Sequence, residues 1–135
     1  MSVVEGGPRG LLLFAHGARD PAWARPFEAV AARCRAARPA MPVQLAFLDF
    51  MAPGLIEAGQ RLAAEGCKSV DVLPLFLGAG GHVRKDVPVL LAQLEAELPK
   101  VRWLLHPAVG EAAALIEAMA AIALDAATLP VLNTR

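Results

Sequence analysis

Two histidines stand where this sequence ends an apolar run. His16 follows LLLFA at residues 11–15, and His82 lies beyond DVLPLFL, behind the small-residue stretch GAGG at 78–81. An acid, Asp49, ends a third run that contains VQLAFL. Two imidazoles and a carboxylate are borderline donors suited to a first-row divalent ion, and three protein ligands leave the open positions that a reactive site requires. A neutral imidazole also accepts protons near neutral pH. Beside this stands a blander reading: histidines bonded to turn carbonyls, and an acid that finishes a turn. The outcome depends on whether the three positions share one edge of the fold.

The chain alternates short apolar runs with amphipathic segments. Runs at 11–15, 43–48, 70–77 and 101–105 lack strict alternation, as strands buried on both faces do. Helices are expected over about 22–37, 53–65, 86–98 and 110–125. Pro53 suits the first turn of the second and Gly66 its stop; Asp86 is expected to cap the third, with Pro88 in its first turn. Four βα units with right-handed crossovers predict a flavodoxin-like open parallel sheet of order 2-1-3-4, with helices on both faces. Residues 1–10 then form an N-terminal extension, 11–125 one α/β domain, and 126–135 a tail. In that order strands 1 and 3 are neighbours at the switch point, where such folds bind ligands beyond the strands' carboxyl ends. His16, His82 and Asp49 all fall on that edge. Arg19, Asp20, Arg84 and Lys85 flank it, as a solvated rim or as cations for substrate carboxylates.

Other chemistries lose support by composition. Ser69 opens a strand and no GxSxG elbow occurs; GxGxxG and GxxxxGK[ST] are missing too, so no nucleotide is expected. Formal net charge is zero with no long basic cluster, which argues against nucleic acid. Cys34 and Cys67 have no CxxC spacing and read as reduced, buried thiols. The N-terminal residues lack the apolar core of a signal peptide and no run is long enough to span a bilayer, so a cytoplasmic protein without membrane partners is expected.

HGARDPAW after strand 1, AFLDFMAPGL at strand 2 and VLPLFLGAGGHVRKDVP after strand 3 resemble the short CbiX-type sirohydrochlorin chelatases of the class II chelatase group. The resemblance runs from about residue 11 to 124. It implies ATP-independent insertion of a divalent metal into sirohydrochlorin, for cobalamin or sirohaem, with Co²⁺ favoured, Fe²⁺ second and Ni²⁺ a further option. It maps metal handling onto His16 and His82. That family often has Glu where Asp49 stands, so the acid's reach is shorter here. Sirohydrochlorin is a broad disc with eight carboxylates, which gives Arg19 and Arg84 a role as cations and Gly80 and Gly81 a role as clearance. Two rivals remain: a non-catalytic metal or tetrapyrrole carrier, and a histidine phosphatase, whose arginine before the His-Gly pair is replaced by Ala15. The last helix has apolar residues around most of its circumference, which predicts a homodimer. The class II relatives agree, since the larger ones resemble two such halves in one chain.

Overall fold

The computed structural model describes residues 7–78 and 80–130; the side chains of residues 81–84 lie outside that description. Four strands, β1 (Arg9–Ala15), β2 (Val43–Phe47), β3 (Ser69–Pro74) and β4 (Arg102–Leu105), form one parallel sheet of order β2-β1-β3-β4. Leu11 of β1 pairs with Val43 of β2 and with Asp71 of β3, and Asp71 pairs in turn with Leu104 of β4. The expected order is therefore the observed one. β1 is central, so Leu12–Ala15 are buried on both faces and need no polar alternation, while Leu11 is half-buried.

Helices α1 (Arg25–Ala37), α2 (Leu55–Ala64), α3 (Gly81–Glu97) and α4 (Ala113–Thr128) follow the strands, with 3₁₀ turns at Pro21–Ala24 and Val109–Glu111. The strand residues sort by parity. Leu12, Phe14, Val70, Val72 and Trp103 point to the side where α2 supplies Leu55, Ala58 and Leu62 and α3 supplies Leu94. Leu13, Ala15, Val43 and Leu45 point the other way, toward Ala31 of α1. Each fully buried side chain of this size contributes about 1.5–3 kcal/mol by leaving water.

Element limits differ from the sequence reading at informative places. β3 stops at Pro74, although the apolar run continues to Leu77. Phe76 is buried after the strand has ended, so the run reports burial rather than pairing. α2 starts at Leu55 behind an extended Gly54, leaving Pro53 outside the helix. Its stop is as expected: Gly66 has φ +94°, and bonds from Gly66 N–H to Ala63 O and Cys67 N–H to Leu62 O close a Schellman motif. α3 begins at Gly81, capped by Gly80, so Asp86 is not its N-cap and Pro88 sits inside the helix. α4 runs from Ala113 to Thr128 rather than 110–125. Both cysteines are free thiols; Cys67 is buried as expected, whereas Cys34 is only partly buried, and burial first, then nearby Glu65, pushes the Cys67 pKa up.

A third histidine enters an ion-pair network that crosses the sheet. Arg9 Nε and Nη2 donate to Asp71 at 2.6 and 2.9 Å, and His106 Nε2 lies 2.7 Å from Asp71 Oδ1. The Arg9 bond, followed by that of His106, holds the Asp71 carboxyl below its ordinary range against the opposing effect of burial. A depressed folded pKa adds stability above the unfolded value of about 3.9, and this is lost as pH falls through the folded one. Asp71→Asn should therefore lower the urea midpoint at pH 7, with the gap to wild type closing below about pH 4. A gap unchanged at pH 2 would show that the carboxylate charge is not its source.

Candidate functional site

The carboxyl ends of β1 and β2 are stitched together by backbone. Leu48 N–H donates to Ala15 O at 2.9 Å, and Asp49 N–H to His16 O at 3.0 Å. Gly17 makes this approach possible. Its φ is +94°, and a Cβ there would overlap the carbonyl oxygen of Asp49. Two of the three expected site residues are thus joined through adjacent peptide groups.

His16 is exposed at this edge. Its Nδ1 lies 3.3 Å from the Gly17 carbonyl, and its ring meets Phe76 edge-on with centroids 6.3 Å apart. Phe76 itself packs edge-on against Phe14 in the core, at 5.8 Å. The strand 3 exit therefore props the histidine that follows strand 1. Among the described residues Nε2 meets no partner, so one nitrogen faces solvent with its lone pair or proton available.

Asp49 is exposed and bonds locally: its Oδ1 accepts the N–H of Phe50 at 3.1 Å. That is the turn role weighed against the ligand role, and it leaves Oδ2 unengaged. Asp20 likewise accepts the Ala22 N–H at 2.9 Å, which caps the turn Pro21–Ala24. Arg19 lies at the edge with its guanidinium 4.7 Å from the centroid of the Phe50 ring. Phe50 was not singled out from sequence. It has φ +65° and is 54% exposed, an aromatic held in a costly backbone conformation and left in solvent. A flat side chain beside a cation is a stacking surface.

The β3 side contributes the glycine stretch and the start of α3. A Cβ added at Gly78 or Gly80 would meet nothing within 4 Å, and neither residue has positive φ. Among the described residues, neither packing nor backbone requires glycine at either place. His82 is the second residue of α3, which sets its backbone at the helix's amino end beyond β3. The side chains of His82 and Arg84 lie outside the described residues, as do Ala79 and the two chain ends. Among the described residues no three His, Cys, Asp or Glu side chains converge as a metal-binding group. Of the expected set, His16 and Asp49 are brought to one edge in full atomic detail, and His82 by its backbone.

An open parallel sheet with polar groups gathered at its switch point defines a flavodoxin-like α/β ligand-binding domain. The chain belongs to the CbiX family, whose model matches residues 10–126. The sirohydrochlorin cobaltochelatase of Saccharolobus solfataricus is 33% identical over 95 residues, 70% of this chain and 72% of that protein. The one from Methanococcus aeolicus is 29% identical over 87 residues, 64% of this chain but 61% of its own length. Among solved structures, a CbiX protein from Marinobacter aquaeolei VT8, named for cobalamin (vitamin B12) biosynthesis, aligns with a TM-score of 0.79. The match is 31% identical and covers 89% of this chain and 98% of that one. The sirohydrochlorin chelatase SirB of Bacillus subtilis, in complex with cobalt, shares the fold at a TM-score of 0.77 and 21% identity. That match covers 88% of this chain and 51% of SirB, so this chain corresponds to half of it. Among the described residues no helix is long and apolar enough to cross a membrane.

Proposed function

We propose that this chain inserts a divalent metal into sirohydrochlorin without nucleotide, acting in the cytoplasm as a homodimer. Cobalt is the first choice of ion, since the curated relatives are cobaltochelatases; iron is the second, and nickel a further option. One observation carries the reading. A solvent-exposed histidine stands at the switch point, at the edge where Gly78 and Gly80 follow β3 with nothing among the described residues within 4 Å of an added Cβ. Clearance without an internal cause suits an external partner that is wide and flat.

The chemistry follows from balance. Metallation places M²⁺ where two pyrrole N–H protons were, so the site must release an ion and remove two protons. In this proposal His16 and His82 hold the incoming ion, each through a neutral ring nitrogen. Few ligands are an advantage here, because a closed four-ligand shell would retain the metal. Asp49 lies on the neighbouring peptide to His16 and takes a proton or shares the ion. The Phe50 ring offers a face to the macrocycle, and Arg19 and Arg84 meet its carboxylates. The amide groups of Gly80 and Gly81, at the positive end of α3, favour the same anionic groups.

The test follows absorbance during anaerobic metallation of sirohydrochlorin by Co²⁺, Fe²⁺ and Ni²⁺ in one buffer. The expected result is a rate above the protein-free reaction that scales with protein concentration. Tight tetrapyrrole binding with an unchanged rate would make the chain a carrier instead. Asp49→Asn refines the assignment, because asparagine keeps the Oδ1 acceptor that holds the turn and removes only the charge. A clear loss of rate with an unchanged melting temperature is expected. Full turnover at every pH would confine Asp49 to the turn.

A further inference from the structure

Two large apolar side chains stand in solvent at the carboxyl edge of the sheet, one on each side of His16. Phe50, after β2, is 54% exposed, and Leu77, after β3, is 67% exposed. β1, which His16 follows, lies between those two strands. Ala15 pairs with Phe47 and Phe14 with Pro74, so continuing the registers sets Gly17 level with Asp49 and with Leu77. The backbone agrees: Asp49 N–H donates to His16 O at 3.0 Å, and Leu75 N–H to Phe14 O at 2.7 Å. Neighbouring strands lie about 4.8 Å apart, which separates the two exits by roughly 10 Å with the histidine between them.

Neither side chain stands on a loose segment. Each is carried by backbone that meets a glycine of the neighbouring strand exit. A Cβ on Gly17 would overlap the carbonyl oxygen of Asp49, and one on Gly110, in the turn after β4, would overlap that of Leu77. Gly110 N–H also donates to Phe76 O at 2.9 Å. Phe50 is fixed further by a γ-turn, in which Met51 N–H donates to Asp49 O at 2.8 Å across a residue at φ +65°. That positive-φ form of the turn is strained, and an exposed ring there contributes little packing to its own chain. Arg19 lies against the ring, its guanidinium 4.7 Å from the centroid. Strain that holds an apolar group out in water points to a ligand from outside.

We propose that Phe50 and Leu77 are positioning residues for the macrocycle, two preset apolar contacts on which the disc rests either side of His16. The inference rests on the chelatase reading and deepens it. Sirohydrochlorin is a conjugated disc with carboxylates around its rim. It calls for apolar contact inboard and a cation outboard, which Phe50 and Arg19 supply together. Side chains fixed before binding lose little freedom when the disc arrives, so more of the contact appears as affinity. Two contacts with an imidazole between them also set the height and tilt of the disc, so that its nitrogens meet the ion.

Phe50→Gly and Leu77→Ser test this seat, with Phe50→Tyr and Leu77→Met as conservative partners. Fluorescence titration should show the dissociation constant for metal-free sirohydrochlorin raised roughly ten-fold or more in each of the first two, and near wild type in the conservative pair. KM for sirohydrochlorin should rise in parallel while KM for Co²⁺ holds. The melting temperature should hold as well. Glycine accepts φ +65° without strain and keeps the N–H that Asp49 accepts, and Leu77 is in solvent. Wild-type affinity in both variants would overturn the proposal. So would a Phe50→Gly chain that melts lower yet binds normally, because the ring would then only wedge the turn. A changed association state by light scattering, with affinity unchanged, would overturn it too, since these side chains would face another copy. A wild-type chain that neither binds nor metallates sirohydrochlorin would remove the chelatase reading together with the seat. Normal wild-type turnover beside unaffected variants removes the seat alone.

Discussion

Replacing His82 by Ala should bring metallation of sirohydrochlorin down to the protein-free rate, a loss of roughly 100-fold or more. Changing even a residue that supports a metal ligand typically costs 10- to 100-fold, and in the proposed site His82 is itself a ligand. His16→Ala should lose nearly as much. Its side chain makes a long contact to the Gly17 carbonyl and an edge contact with Phe76, so the melting temperature should move little. Rates are best compared at limiting metal, where weaker ion binding cannot be hidden by saturation. A wild-type rate in either variant would remove that histidine from metal handling.

Gly17→Ala should be the most damaging substitution for stability at the carboxyl edge of the sheet, where Gly17 is buried. Alanine at φ +94° costs about 1–2 kcal/mol from its backbone alone. Its methyl group would also occupy the position of the Asp49 carbonyl oxygen, adding about 1–3 kcal/mol as the strand exits move apart. Urea unfolding should thus show a loss of about 2–5 kcal/mol. The bond from Asp49 N–H to His16 O would be displaced too, so activity should fall along with stability. Gly78→Ala supplies the contrast. With nothing within 4 Å, its stability should stay within about 0.5 kcal/mol of wild type, while metallation slows if the stretch gives the macrocycle room. Equal destabilisation by the two substitutions would contradict this account.

The strand order could be read from sequence because parallel pairing with right-handed crossovers leaves few arrangements for four βα units. The meeting of His16 and Asp49 at one edge followed from that order, since both residues come directly after strands. The start of α3 did not. Glycine is a poor helix former, so GG at 80–81 reads as loop, and Asp86 with Pro88 imitates a cap and first turn. The helix starts five residues earlier because Gly80 takes the extended conformation of an N-cap just beyond the strand 3 exit. Phe50 was hidden for another reason: an apolar letter after a strand gives no sign that its backbone turns left-handed and holds the ring in solvent. The Arg9–Asp71–His106 network was equally opaque, because its members meet only through the pairing of β1 with β3 and of β3 with β4.

The position of β1 also governs how the chain can fold. The central strand is made first, yet its partners Val43 and Asp71 lie far along the chain, and no hairpin can zip the sheet locally. Loop closure must therefore precede the contacts that reward it, a pattern of high contact order that slows folding. During synthesis LLLFA waits with both faces bare until β2 and β3 emerge, an apolar β-prone segment open to other nascent chains. The strand that organises the finished sheet is the segment most in need of protection before the sheet exists.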